Sequence, residues 1–161
     1  MTVYRFSIFA DYFQFIVQDE DSEDDFSALW NDNTLAMGVA TGETSLCLGT
    51  LRNVDVSVEL HVVDGMPKVD LARFDHAVEG SFTSPSGKIV VMGCTELFSD
   101  AARLEIASGS WRFIYLISGI HTIEKEWEPA DDLYVLYIWP ASQREPCLLK
   151  HWKPARPDSA S

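Results

Sequence analysis

The chain has 161 residues, 47% of them apolar and 12% aromatic, which excludes a disordered protein and fits one domain that buries about two thirds of its unfolded surface. Asp and Glu number 25 against 12 Lys and Arg, a formal charge of -13. A field of that sign opposes direct binding to nucleic acid or to anionic membranes, and it favours a basic protein partner or a cation.

The amino-terminal MTVYRFSIFADYF interrupts a short apolar alternation with Arg5 and Asp11 and offers no cleavage site of a signal peptide. No segment approaches the roughly 20 uninterrupted apolar residues of a bilayer span, so the cytoplasm is the expected compartment. Tyr4 to Val17 reads as strand, and the acidic run QDEDSEDDF follows from Gln18. Phe26 to Met37 predicts one or two short helical turns ended by Gly38. Ser45 to Thr50 supplies another strand. Val54, Val56, Val58, Leu60 and Val62 alternate with Asp55, Ser57, Glu59 and His61, the pattern of a half-buried strand. Ser81 to Gly93 reads as a hairpin about the turn Ser84-Pro85-Ser86-Gly87, and Glu96 to Arg103 as a short helical turn. Trp111, Phe113, Tyr115 and Ile117 form a strand after Ser108-Gly109-Ser110, and Leu133 to Trp139 form another before Pro140. Many short strands with little helix predict an all-β protein: a single-domain antiparallel β-sandwich over 1–149, with a loosely ordered tail over 150–161.

Catalytic signatures are scarce. His61, His76, His121 and His151 sit on separate segments, and neither a G-x-S-x-G elbow nor an H-E-x-x-H motif is present. The nine glycines occur singly, without the cluster that cradles phosphate. Cys47, Cys94 and Cys147 form no C-x-x-C pair and read as reduced, buried thiols. A non-enzymatic protein without cofactor or bound metal is expected.

Two acidic segments are the candidate contacts. The first is Asp19, Glu20, Asp21, Glu23, Asp24 and Asp25. Asp19, Asp21 and Glu23 have the one, three, five spacing of an EF-hand, but Asp24 stands where that loop needs Gly and Trp30 where it needs Glu. The second is Glu124, Glu126, Trp127, Glu128, Asp131 and Asp132, which combines carboxylates with an aromatic outside any strand. A Trp ringed by charge fits a binding hot spot. If the two segments meet at one end of the sandwich, they make one strongly negative surface.

The order of YFQFIVQDED from Tyr12, WNDNTLAMGVA from Trp30, TLRNVDVSVEL from Thr50, GSWRFIYLI from Gly109 and DDLYVLYIWPA from Asp131 resembles the competence protein J family. The resemblance spans Tyr12 to Pro140. The chain departs from the family in its extra length after Pro140, LLKHWKPARP, and in its denser acidic run. The resemblance implies a small protein that binds and blocks a DNA-entry nuclease, in a role similar to that of immunity proteins of nuclease toxins. A nuclease presents a basic cleft, and an acidic inhibitor suits it because carboxylates stand where phosphates would sit. The other reading is a non-enzymatic ligand-binding module, for carbohydrate or dependent on calcium. Arg52 and Asn53, between two strands, read equally as a structural turn or as part of a site.

Overall fold

The computed structural model, described for residues 1–152, stacks two sheets face to face. The first runs in the order β1 (Thr2–Phe9), β5 (Asp55–Val62), β10 (Leu133–Pro140), β9 (Gly109–Ser118), β6 (His76–Ser84) and β11 (Cys147–Lys150). The second runs β3 (Val39–Thr41), β4 (Ser45–Gly49), β2 (Gln14–Asp19), β7 (Lys88–Gly93) and β8 (Ala102–Glu105). The sandwich is as expected, and its pairings are antiparallel except that β10 lies parallel to β5, with Leu133 opposite Ser57.

Alternation explains the layers. Val56, Val58 and Leu60 of β5, Phe113, Tyr115 and Ile117 of β9, and Tyr134, Leu136 and Ile138 of β10 face inward. They meet Phe15, Val17, Leu46, Leu48, Ile89 and Val91 of the second sheet. The outer faces are apolar too, and each has a cover. On the second sheet, Ile16, Ala40, Cys47, Val90 and Met92 lie against Phe26, Leu29 and Trp30. Phe26 and Leu29 belong to α1 (Phe26–Leu29), which α2 (Asp32–Met37) follows. On the first sheet, Ala77, Ile114, Leu116, Val135 and Trp139 lie under Val69, Leu71 and Phe74. Asn31 and Thr34 form a reciprocal cap on α2, and Gly38, at φ 78°, ends it as expected.

Two expected elements differ. Tyr4 to Val17 is not one strand: β1 and β2 belong to opposite sheets, and the chain changes sheet through a tight turn at Asp11–Phe13. Ser81 to Gly93 is not a hairpin either, because β6 and β7 also lie in opposite sheets. The reason is a buried carboxylate. Asp19 accepts hydrogen bonds from Ser84 Oγ at 2.6 Å, Ser86 Oγ at 2.7 Å, Ser86 N at 3.1 Å and Asp21 N at 3.0 Å. It thereby ties the Ser84–Gly87 turn to the end of β2, and Gly87 supplies the left-handed φ of 72°.

The thiols divide: Cys47 is buried, Cys94 is half-buried and Cys147 is exposed, against the expectation that all three are buried. Burial pushes the Cys47 thiol up to about 12 and that of Cys94 to about 11, which disfavours the nucleophilic thiolate in both. No helix among the described residues is long and apolar enough to cross a membrane. Lys150 closes β11, and Trp152 packs against the central core. The tail expected from 150 is described through Trp152, and 153–161 lie outside the described residues.

Burial alone would raise the Asp19 carboxyl, yet its hydrogen bonds from Ser84, Ser86 and Asp21 hold it below the ordinary value of 3.8. Its stabilising contribution is therefore full above that value and lost as pH falls through the lower folded value. Asp19→Ala should cost about 2–3 kcal/mol by urea denaturation at pH 7, because it orphans buried donors. The variant should also lose less stability than the parent between pH 5 and pH 3.

Candidate functional site

The two acidic segments lie at opposite ends of the sandwich. Asp19 meets Ser84, the last residue of β6, whereas the chain before Asp132 lies beyond Ser118 of β9, whose neighbour Ile117 pairs with His76, the first residue of β6. The length of β6, nine residues, separates them by about 26 Å. They do not form one surface.

Within the first segment, inward bonds withdraw several carboxylates. Asp19 is 1% exposed. Asp24 accepts from Ser45 Oγ at 2.6 Å, Thr44 N at 3.0 Å and Thr44 Oγ1 at 3.1 Å. These bonds outweigh its burial and hold its carboxyl below the ordinary range. Asp25 caps α1 through Ser27, and Glu20 faces Arg103 at 3.5 Å. Asp21 and Glu23 remain exposed. The segment is partly a scaffold: Asp19 is buried with both carboxylate oxygens accepting, while half-buried Asp24 commits its Oδ2 to Thr44 and Ser45. Among the described residues no three His, Cys, Asp or Glu side chains gather as metal ligands.

The second segment hangs on Arg52. Asp132, 3% exposed, receives Arg52 Nε at 3.0 Å and Nη2 at 2.6 Å, a two-pronged buried ion pair. Tyr134 donates its hydroxyl to the same carboxylate at 2.8 Å and accepts from Leu51 N at 3.1 Å. Burial and the Asp132 charge keep that phenol protonated. Arg52 Nη1 reaches back to the carbonyls of Glu126 at 3.2 Å and Glu128 at 2.8 Å, and Asn53 N donates to Glu126 Oε1 at 2.9 Å. Arg52 and Asn53 are thus the structural support of this loop, and Asp132 is not a surface contact. Held up by them, Trp127 is 74% exposed with Lys125 Nζ 5.8 Å from its ring centre, while Glu124 and Asp131 are exposed and Glu128 faces Lys125 at 3.8 Å.

Beside this loop opens a groove of about 510 Å³ that the sequence did not reveal. Tyr12, Phe13, Trp30 and Leu35 line it, over Leu51, Ile120 and His76. Tyr12 and Phe13 hold φ 61° and 59°, a left-handed conformation that costs a non-glycine residue about 1 kcal/mol or more. Asp11 Oδ1 accepts from Tyr12 N at 3.0 Å, and Asn53 Oδ1 from Phe13 N at 3.4 Å, so the strain is supported from both sides. Trp30 Nε1 donates to Gln14 Oε1 at 2.9 Å. At the floor, His76 donates Nε2–H to the Met37 carbonyl at 2.5 Å and accepts Trp152 N–H on Nδ1 at 3.3 Å, which requires a neutral ring. Burial lowers its proton affinity, the nearby His151 ring lowers it further, and the Met37 carbonyl opposes them.

No family model and no curated protein matches this sequence. Solved structures share its fold. The crystal structure of ComJ, inhibitor of the DNA degrading activity of NucA, from Bacillus subtilis, superposes with a TM-score of 0.64 at 15% identity, covering 88% of this chain and 96% of that one. The protein described as crocagin biosynthetic gene J gives 0.61 at 16% identity, covering 88% and 98%. The resemblance read from the order of sequence segments therefore holds at the level of the fold.

Asp132→Asn should cost about 3–5 kcal/mol in chemical denaturation, because it strands a buried guanidinium. His76 contributes stability that is full above its ordinary value of 6.5 and declines as pH falls toward its lower folded value, since the unfolded chain binds the proton first. Calorimetry at pH 7 and pH 5 should show a larger fall in Tm for the parent than for His76→Gln.

Proposed function

We propose that this protein is a stoichiometric inhibitor, or immunity protein, of a bacterial nuclease, acting in the cytoplasm by binding rather than by catalysis. The observation that carries the reading is the fold shared over 88% of the chain with ComJ, a nuclease inhibitor. The charge of -13 supports a partner with a basic cleft, because carboxylates replace phosphate oxygens there. It also supports fast, oriented encounter.

Of the two acidic ends, the one bearing Trp127 combines exposed carboxylates with an exposed anchor. It is therefore the better docking face. Glu124, Glu126, Glu128 and Asp131 set the encounter, and Trp127 contributes contact area. Asp21 and Glu23 are the free carboxylates of the opposite end, too far away to act on the same contact through about 8 Å of ionic screening.

The test is capture of the tagged protein's partner from its native cells, purification of that partner, and assay of DNA degradation as inhibitor is titrated in. A basic nuclease silenced at one equivalent and released by salt is the expected result. A partner that stays fully active when saturated would end the inhibitor reading. Reversing charge at Glu124, Glu126, Glu128 and Asp131 should slow association about tenfold at low salt and flatten its salt dependence. The same change at Asp21 and Glu23 should leave the rate nearly unchanged, as stopped-flow measurement would read.

A further inference from the structure

We infer that the groove between the Asp11–Phe13 turn and α2 is a docking groove for a short segment of a partner protein that alternates cationic with aromatic or aliphatic side chains. It rests on the inhibitor reading only for which protein supplies the segment.

Three observations carry it. The first is shape and chemistry: about 510 Å³, apolar walls from Tyr12, Phe13, Trp30 and Leu35, and too much room for one side chain. Tyr12 and Leu35 are 70% and 65% exposed, although apolar residues of this size are favoured inside. The second is the turn itself. Two successive aromatic residues occupy left-handed backbone, a cost the fold sustains with hydrogen bonds from their N–H groups to Asp11 and Asn53, and both residues line the groove. A turn serving only to change sheets would be cheaper with Gly at either position.

The third is charge. Asp11 adjoins Tyr12, Asp32 opens the helix that bears Leu35, and Glu124, Glu126, Glu128 and Asp131 lie on the neighbouring loop. Among the described residues, Arg52 pairs with Asp132, and Lys125 lies 3.8 Å from Glu128. An apolar trough with a negative rim selects a segment whose apolar side chains enter while its Arg or Lys side chains meet the rim. Continuity with the Trp127 loop is direct. Asn53 accepts from Phe13 N on one side and donates to Glu126 on the other, so groove and loop form one face.

The full-length protein, isotope-labelled, is titrated in NMR with a blocked hexapeptide of alternating arginine and phenylalanine, and separately with one of alternating arginine and serine. The expected result is saturable shifts of the Trp30 indole and of the Tyr12, Phe13 and Leu35 amides with the first peptide. The second peptide should bind about tenfold more weakly or less, since it lacks apolar side chains to bury. Leu35→Arg, at an exposed position that leaves folding intact, should weaken the first peptide about tenfold as well. Equal binding of both peptides, or shifts centred on Asp21 and Glu23, would overturn the inference. So would groove shifts that grow with concentration of the free protein, which assign the groove to a second copy. Proximity signals between the groove and residues 153–161 would likewise assign it to the chain's own carboxyl-terminal segment. No nuclease enters this titration, so its failure leaves the inhibitor reading standing, and an active, saturated nuclease leaves the groove result standing.

Discussion

One buried ion pair organises the end of the sandwich on which the functional reading depends. Arg52 leaves the connection between β4 and β5, and Asp132 immediately precedes β10. Their two-pronged contact joins segments 80 residues apart in the chain. Such a pair contributes little against an apolar replacement of equal volume, because desolvation offsets attraction, yet losing either partner leaves a charge in the interior. Its value is positional. The remaining guanidinium N–H groups grip two loop carbonyls and the Tyr134 hydroxyl closes the carboxylate, so the loop that displays Trp127 is tied to the sandwich at several points.

The opposite end uses the same chemistry for a different purpose. There the Asp19 carboxylate pairs with no cation among the described residues and is satisfied by hydroxyl and backbone donors from the crossing between β6 and β7. Asp24 does likewise with Thr44 and Ser45. A net charge counts these groups with exposed ones, but an oxygen already accepting three hydrogen bonds is a poor acceptor for a partner's cation. Electrostatic recognition therefore depends on which carboxylates are left free, and the denser acidic run is the less available of the two.

The apolar groove sits where the first-sheet strand β1 hands over to the second-sheet strand β2. The crossing demands a sharp reversal, and the protein makes it with Tyr12 and Phe13 in strained backbone. The turn that closes the sandwich is thereby also the wall of the groove, and Asn53 couples it to the loop held by Arg52. The sheet crossing and the groove wall share the same few residues. That arrangement explains how the fold common to ComJ and this chain persists at 15% identity, since packing requires apolar alternation and a few ties while the exposed rim can vary.

Strand composition was legible in the sequence because alternation is a local property: Val56, Val58 and Leu60, or Phe113, Tyr115 and Ile117, point one way whatever lies opposite. The helix end at Gly38 and the sandwich class follow from equally local signals. Which sheet each strand joins was not legible, as the split of Tyr4 to Val17 and the Ser84–Gly87 crossing show. A turn sequence specifies a change of direction and not the partner on the far side. The site was hidden for a related reason. Asp19 and Asp21 look alike in a run of acids, and Tyr12 looks like any strand aromatic. Burial against Ser84, pairing with Arg52 and the opening beside Leu35 all arise from residues distant in the chain, and only their meeting in space decides which side chains the protein keeps for itself.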